Sequence, residues 1–594
     1  MELTEFCTQH VMAENNAPPA EKVIPLTEPP KEGEAEGEKG PSKGALKKMQ
    51  KEKEKAEKAA ARKAAEEAQK KQAEADDVSK NDYGELDPFG RHPGIPSNEK
   101  VPRVKLSTVA EEFQDTSKMD EPEGPHVVFT ATVANSRGQS AKLAFMELEQ
   151  EYNTIQAVIA ASETLSRQMV KFTTSIPSQS RVLVHALIKK PKEPVKSTTI
   201  QNLEAHIKKI YIVCKADAQL PLQVVDAERP IPVEGEEDNT KDQEDGRPIV
   251  TLNTRLNNRT IDLRAKHNQA IFAIKAGVSQ LFREFLGAHG FKDVQSPALL
   301  GAPSEGGANV FEVTYFGGKA YLAQSPQLYK QMLITANFLK VMEVGPVFRA
   351  ENSNTARHLT EFTGLDMEME LMDETDYHEV VGLLENLMLH IFKGLRSRYS
   401  KETDLVRSIY HVEEFKLPEA GKVPRLTFAE GIQMLREDGV EIADMDDLST
   451  PDEKRLGALV LKKYGSDFYV MDKYPLAVRP FYTMPDPATY GSDPNDPNAG
   501  YSNSYDFFMR GQEIMSGAQR IHQASFLEKR MKEHVSPVDA NSPGLRDYVN
   551  AFRAGCNAHA GGGIGLERIV MLWLGLPNVR LASLFPRDPT RLAP

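Results

Sequence analysis

Cysteine is nearly absent: three in 594 residues, Cys7, Cys214 and Cys556, set far apart. No Cys-x-x-Cys pair and no spaced histidine pair accompanies them. That excludes a disulfide framework or a thiolate-bound zinc as the organising element and suits a reducing cytosol. No apolar run approaches the roughly 20 residues that a membrane span requires. The opening Met1-Glu2-Leu3-Thr4-Glu5 lacks the basic and then apolar pattern of a secretory leader. These absences predict a cytoplasmic chain with no membrane attachment. The net charge of −13 does not itself point to nucleic acid, although local patches steer partners more than totals do.

The length exceeds what one core organises and predicts several domains. Residues 1–100 are rich first in Pro and Glu, then in Ala, Lys and Glu, with a local charge of +6 between Lys43 and Lys71. Leu46 and Met49 are the only large apolar residues in that run. A helix there has no stripe with which to dock, so the segment reads as a flexible extension with a lysine-rich helix. A solvated tail and an RNA-binding arm both fit its composition. Residues 101–225 carry five short β-rich runs, at 127–131, 143–146, 155–159, 182–184 and 207–213, with a helical stretch at Glu163–Phe172. They predict a small Greek-key barrel of the OB type, a shape that often binds single-stranded nucleic acid. Residues 226–265, including the acidic run 234–238, read as a linker or hinge. From 266 to 594 the chain reads as an α+β domain. It opens on a helix in which Ile271, Ile274, Val278, Leu281, Phe282 and Phe285 recur at helical spacing.

Three segments of the last domain carry chemistry. In the first, Arg349 and Glu351 end one strand, and Phe362, Gly364 and Asp366 share a face of the next by period-two geometry, with Arg357 and His358 between. Glycine between Phe362 and Asp366 leaves that face open to a flat ring. In the second, a turn at Arg510-Gly511 brings Asp506 and Glu513 together across a hairpin. Two carboxylates beside phosphates are what Mg²⁺ prefers, and Arg520 follows, suited to a carboxylate. In the third, the run Ala560-Gly561-Gly562-Gly563-Ile564-Gly565 leads into an apolar helix, with Arg568 in its first turn available to a phosphate. It matches neither a dinucleotide fingerprint nor a Walker loop. Taken singly, these are equally a cross-strand surface pair, exposed hairpin charges and a packing turn; together and in this order they predict one ATP site.

The three segments resemble the second and third signature motifs of class II aminoacyl-tRNA synthetases. The helix from Asn268 with Gly290-Phe291-x-x-Val294-x-x-Pro297 resembles the first, which in the family forms a dimer interface and places Pro297 there. Asn258-Arg259-Thr260-Ile261-Asp262-Leu263-Arg264 after an OB-like domain is similar to the aspartyl, asparaginyl and lysyl subgroup. Gln324-Ser325-Pro326-Gln327-Leu328-Tyr329-Lys330-Gln331 and Ser516-Gly517-Ala518-Gln519-Arg520 are similar to its aspartyl branch of eukaryotic and archaeal type.

The resemblance implies a catalytic domain built on an antiparallel sheet that activates L-aspartate with ATP and Mg²⁺ and charges tRNA(Asp). It implies a homodimer and leaves membership of a multi-synthetase complex open. Arg349 would bind the α-phosphate and stabilise the transition state, and Arg568 would hold the γ-phosphate. Ala350, Glu351, Arg357, His358, Leu359, Phe362, Glu513, Gly565, Leu566 and Glu567 would surround the nucleotide, Phe362 stacking on adenine. Asp506 and Glu513 would hold the metal. The substrate ammonium would meet Ser304, Gln327 and Asp366 under a loop carrying Glu305. Lys330 and Arg520 would clamp its side-chain carboxylate near Ser516. On the barrel, Phe129 would stack an anticodon base while Arg137, Gln139 and Glu204 read base edges, and the lysine-rich helix would add RNA affinity. Gln512 departs from relatives that have a second acid there. An asparaginyl or a non-discriminating enzyme of the same subgroup, a catalytically dead scaffold or RNA regulator, and a plain ATP-binding module are the rival readings. Lys330 argues against the asparaginyl enzyme, the intact motifs against the scaffold, and the barrel with its basic helix against the ATP-binding module. Residues 400–470 match no motif.

Overall fold

The computed structural model describes residues 77–95, 103–113, 125–231, 249–303, 310–418 and 422–594. The lysine-rich run, the acidic run 234–238, Ser304 and Glu305 lie outside the described residues. Within them no helix is long and apolar enough to cross a membrane.

The first unit is a barrel. Strands β2 (His126–Ser140), β3 (Leu143–Gln150), β4 (Asn153–Ala160), β5 (Arg181–Lys189) and β6 (Glu204–Cys214) pair in the order β2-β3-β4-β6-β5, and β5 closes back on β2. Alternation decides what faces inward: Phe129, Ala131 and Val133 are fully buried in the barrel core. The helix over the barrel spans Arg167–Ser175, starting later than its composition suggests because Ser166 caps it, accepting from the Met169 N–H. The unit also begins earlier than the sequence pattern indicates. Strand β1 (Tyr83–Glu85) pairs parallel to β6, and Ser79 accepts from the Ser166 N–H at 2.8 Å. Three residues of strand were too short a run to show any periodicity.

In the second unit β7 (Lys292–Asp293) borders an eight-stranded sheet, while β8 (Leu299–Leu300), β9 (Glu312–Tyr315) and β10 (Gly318–Leu322) form a small separate one. The large sheet adds β11 (Lys340–Phe348), β12 (Glu361–Glu370), β13 (Arg425–Thr427), β14 (Phe468–Asp472), β15 (Ser504–Met509), β16 (Gln512–Gln519) and β17 (His559–Gly565). Its order is β13-β14-β15-β16-β17-β12-β11-β7, antiparallel except at the two outer pairs. Helices Lys266–Ala288, His378–Arg398 and Leu566–Leu574 cover one face and build the main core, where Trp573 stacks on Phe392 at 5.8 Å. The opposite face is left for the site.

The glycine run is a central strand rather than a turn. A Cβ on Gly561 would lie 2.2 Å from the Met367 carbonyl oxygen and 2.3 Å from Glu368 Oε2, so only glycine lets β17 lie against β12 there.

The segment Asn258–Arg264 does structural work. Buried Arg259 donates to Asp262 at 2.5 Å and to the carbonyls of Ser583 and Leu584 at 2.7 and 2.9 Å, pinning the C-terminal segment. Beside it His267 is fully buried, and neither ring nitrogen has a hydrogen-bond partner among the described residues. Burial first, then Arg255 and Arg259, lower its pKa to about 3. An unfolded histidine takes up its proton near pH 6.5. The contribution to stability is therefore complete above pH 6.5 and is lost progressively as pH falls towards 3, where only the unfolded chain is protonated. His267→Asn is expected to flatten the fall of the thermal midpoint between pH 6.5 and 4. A midpoint curve with unaltered slope would refute this.

Candidate active site

The open face of the large sheet holds a cavity of about 360 Å³. Its floor comes from β12, β16 and β17, and its rim from the loop 349–360 and the segment 479–483. The register Val347↔Phe362 and Gly345↔Gly364 puts Val347, Phe362, Gly364 and Asp366 on that face. The Arg349 N–H donates to the Thr360 carbonyl at 2.9 Å, extending the ladder one step beyond the strand and fixing the base of the Arg349 side chain. Arg349 and Glu351 consequently join the same wall, the guanidinium carbon 5.5 Å from the centre of the Phe362 ring. A Cβ at Gly364 would meet Asp366 and Val347 at 2.7 and 2.9 Å, which is why this stretch of floor stays flat.

Arg357, His358, Leu359, Glu513, Gly565 and Arg568 also line the cavity. Arg568 donates to the Glu513 carbonyl at 2.9 Å. Glu567 lines the cavity, but its carboxylate is already held by Lys275 at 2.8 Å and by the Thr363 N–H at 3.0 Å. It is an anchor between helices and strand. Leu566 is buried in the core, and neither it nor Ala350 is among the residues lining the cavity.

The turn at Arg510-Gly511, with φ of 48° and 66°, makes β15 and β16 a hairpin, with a bulge at Phe507/Phe508. Asp506 lies just behind the wall, 5% exposed, its Oδ2 accepting from Arg479 at 2.8 Å while Oδ1 is buried without a close hydrogen-bond donor among the described residues. Burial pushes its carboxyl up to about 6, Arg479 opposing and Glu513 reinforcing the shift. Arg479 also donates to Ser516.

One end is a buried charge cluster. Lys330 reaches Asp366 at 2.9 Å and Glu368 at 3.6 Å; Arg520 reaches Glu368 at 3.0 Å and Gln327 at 3.2 Å. Gln327, Asp366, Ser516 and Arg520 line the cavity, whereas Lys330 lies behind them, 1% exposed. Burial alone would raise the Glu368 carboxyl, yet Arg520 and Lys330 hold it below its ordinary value. Two cations and two carboxylates thus pair within one buried corner.

Glu368, Arg479 and Tyr482 belong to this site without belonging to any motif read from the sequence. Glu368 was legible, since Asp366-x-Glu368 puts two acids on one strand face. Arg479 and Tyr482 sit in an irregular segment with no period, brought in by the backbone bond from Ile521 N–H to the Tyr482 carbonyl.

On the barrel the reading of Phe129 is corrected. It is fully buried among core residues, so no base can stack on it. Arg137 and Gln139 are exposed on the outer side of β2. The register Arg137↔Phe145↔Val158↔His206 lays one row across four outer strands, beside Gln156↔Glu204. Phe145 lies partly exposed under Arg137, 5.6 Å away, and Glu204 bonds His206 at 2.6 Å. Pro297 is exposed in the loop between β7 and β8.

Residues 251–589 match the family described as tRNA synthetases class II (D, K and N). The chain is 47% identical to the cytoplasmic aspartate–tRNA ligase of Homo sapiens over 89% of its own length and 98% of that protein. It is 50% identical to that of Caenorhabditis elegans over 76% and 82%. The fold is similar to the solved aspartyl-tRNA synthetase of Entamoeba histolytica, with a TM-score of 0.73, 41% identity and coverage of 86% and 96%. It is also similar to the asparaginyl-tRNA synthetase of Pyrococcus horikoshii solved with asparaginyl-adenylate, at 0.65, 27%, 83% and 100%. With the family model matched over more than half of the chain and 47% identity to the Homo sapiens ligase carried across most of its length, the chain belongs to the class II tRNA synthetases, among their aspartate–tRNA ligases.

Proposed function

We propose that the cleft activates L-aspartate with ATP and that the resulting aspartyl-adenylate is passed to the 3′-terminal ribose of tRNA(Asp). The observation that carries this reading is the convergence in one cavity of Arg349, Arg568 and Glu513 with a buried, charge-balanced corner holding Arg520 and Asp366. Adenine stacks on Phe362, the phosphates run towards Arg357, His358 and Arg568, and the amino acid occupies the Gln327–Asp366–Arg520 end. Asp366 takes the ammonium, and the two cations take the side-chain carboxylate. Ser304 and Glu305 complete this end in the same proposal.

No general base is needed, because the α-carboxylate is already a nucleophile. It attacks the α-phosphorus in line, the bond to the β-phosphate oxygen breaks, and pyrophosphate leaves. Arg349 donates to the α-phosphate oxygens as charge builds on them. Asp506 and Glu513 fit a divalent ion: one unpartnered buried oxygen, a second carboxylate across the hairpin, and phosphates to complete the shell. Mg²⁺ bound there would neutralise phosphate charge, and Arg479 holds Asp506 meanwhile. An ATP–pyrophosphate exchange assay across the amino acids tests the reading: exchange is expected with aspartate alone, and exchange with asparagine or none at all would overturn it.

The outer barrel face is proposed to bind the anticodon, with Phe145 as the stacking platform and Arg137, Gln139, Gln156 and Glu204 around it. Stacking is worth about 1–3 kcal/mol per base, roughly five- to hundredfold in Kd. Phe145→Ala should weaken tRNA binding by that factor, leaving ATP–pyrophosphate exchange unchanged. Unaltered tRNA affinity would remove Phe145 from the interface. The proposal extends to a homodimer through the Lys266–Ala288 helix and Pro297.

A further inference from the structure

The stretch 400–470 matches no motif, yet it delivers a carboxylate to the edge of the cleft. Its helix Thr450–Tyr464 is capped by Ser449, carries Pro451 in its first turn and presents Glu453 two residues later. The helix is pressed onto the hairpin turn that joins β15 to β16. A Cβ on Gly457 would fall 2.2 Å from Gly511 Cα, and one on Gly511 would fall 2.8 Å from the Glu453 carbonyl oxygen. Backbone meets backbone with no side chain between, so the helix N-terminus is fixed relative to the strands that carry Asp506 and Glu513.

From that rigid mount the Glu453 carboxylate, 10% exposed, accepts from Arg357 Nη1 at 2.8 Å. Arg357 belongs to the loop between β11 and β12 and lines the cavity beside Arg568 and Glu513. An arginine on such a loop has many rotamers to lose on meeting an anion. One N–H spent on a fixed carboxylate removes much of that freedom and leaves four donors for a ligand.

We infer that Glu453 is a positioning residue for ATP, tethering the Arg357 guanidinium so that it meets the triphosphate already oriented. The inference rests on the reading of this cavity as the ATP site. An ordinary loop-to-helix ion pair would affect stability alone; a tether affects the KM for ATP and does so only through Arg357.

The test is ATP–pyrophosphate exchange on the full chain. Glu453→Ala is expected to raise the KM for ATP roughly tenfold, the scale of a hydrogen bond between charged groups, with the KM for aspartate within about twofold of the parent. Glu453→Gln keeps an acceptor oxygen and should recover much of the loss. In an Arg357→Ala background Glu453→Ala should add nothing. An unchanged or lowered KM for ATP, or a further full rise in that background, overturns the inference. Should the alanine variant fail to fold, the same pair of comparisons is made with Glu453→Gln, expected to raise the KM about threefold only while Arg357 is present. Arg349→Ala run alongside separates the two levels. If it retains full exchange, the ATP reading itself fails; if it loses exchange while the Glu453 variants behave as the parent, only the tether fails.

Discussion

Arg349→Ala should lower the rate of adenylate formation by about two to three orders of magnitude, the loss seen when one preorganised donor to a developing oxyanion is removed. The reason lies in where charge appears. As the aspartate carboxylate closes on the α-phosphorus, negative charge accumulates on the non-bridging oxygens before pyrophosphate departs. An arginine whose backbone is held at the end of the β11–β12 ladder, with its guanidinium over the Phe362 ring, is placed to meet that charge. The same residue does little for the fold: its side chain is 48% exposed and its ion pair to Glu351 is 3.9 Å long. Exposed pairs of that kind contribute at most about 1 kcal/mol, so the variant should keep its thermal midpoint and the rate loss reports on chemistry. Single-turnover adenylate formation at saturating ATP and aspartate is the measurement. Turnover close to the parent would contradict the assigned role. Arg349→Lys should fall between, because an ammonium restores charge but not the forked donor geometry.

How much of this cleft the sequence disclosed depended on periodicity. Phe362, Gly364 and Asp366 fall on one face by the alternation of a strand, and the register adds Val347 opposite Phe362 to their wall. The Arg510-Gly511 turn was readable because two consecutive left-handed residues have a local signature. The long helix before Gly290 was readable from its apolar stripe and spans Lys266–Ala288. Failures followed where no local period exists or where parity along a strand was misjudged. Phe129 and Phe145 are both strand phenylalanines, and only the barrel's closure reveals that Phe129 points inward and Phe145 outward. Arg479, Tyr482 and Glu453 reach the cleft from irregular or remote segments, through contacts between residues far apart in the chain. Nothing in a linear pattern encodes a glycine-to-glycine contact such as Gly457 on Gly511.

Lys330→Leu should reduce the preference for aspartate over asparagine, in kcat/KM, by about a hundredfold or more. The two amino acids are nearly isosteric, so shape separates them poorly and charge must do so. In the buried corner Lys330 and Arg520 pair with Asp366 and Glu368. When aspartate enters as proposed, its ammonium takes over Asp366, and its side-chain carboxylate takes the place Asp366 held in the balance. Neutrality is preserved. Asparagine brings the ammonium but no second carboxylate, leaving a cation uncompensated in a water-poor pocket at a cost of about 3–5 kcal/mol. Removing Lys330 eliminates that penalty for asparagine and imposes one on aspartate. It also leaves Asp366 and Glu368 sharing Arg520, so the fold itself should be destabilised. The ratio of the two kcat/KM values is measured on the same folded molecules and is insensitive to how many have unfolded. Lys330→Leu combined with Glu368→Gln restores the charge balance without restoring the clamp: the thermal midpoint should recover while the preference stays lost. A preference equal to the parent's in the single variant would show that Arg520, the cation on the cavity wall, discriminates alone. Recovery of the preference in the double variant would show that net charge governs, with no need for a lysine at that place.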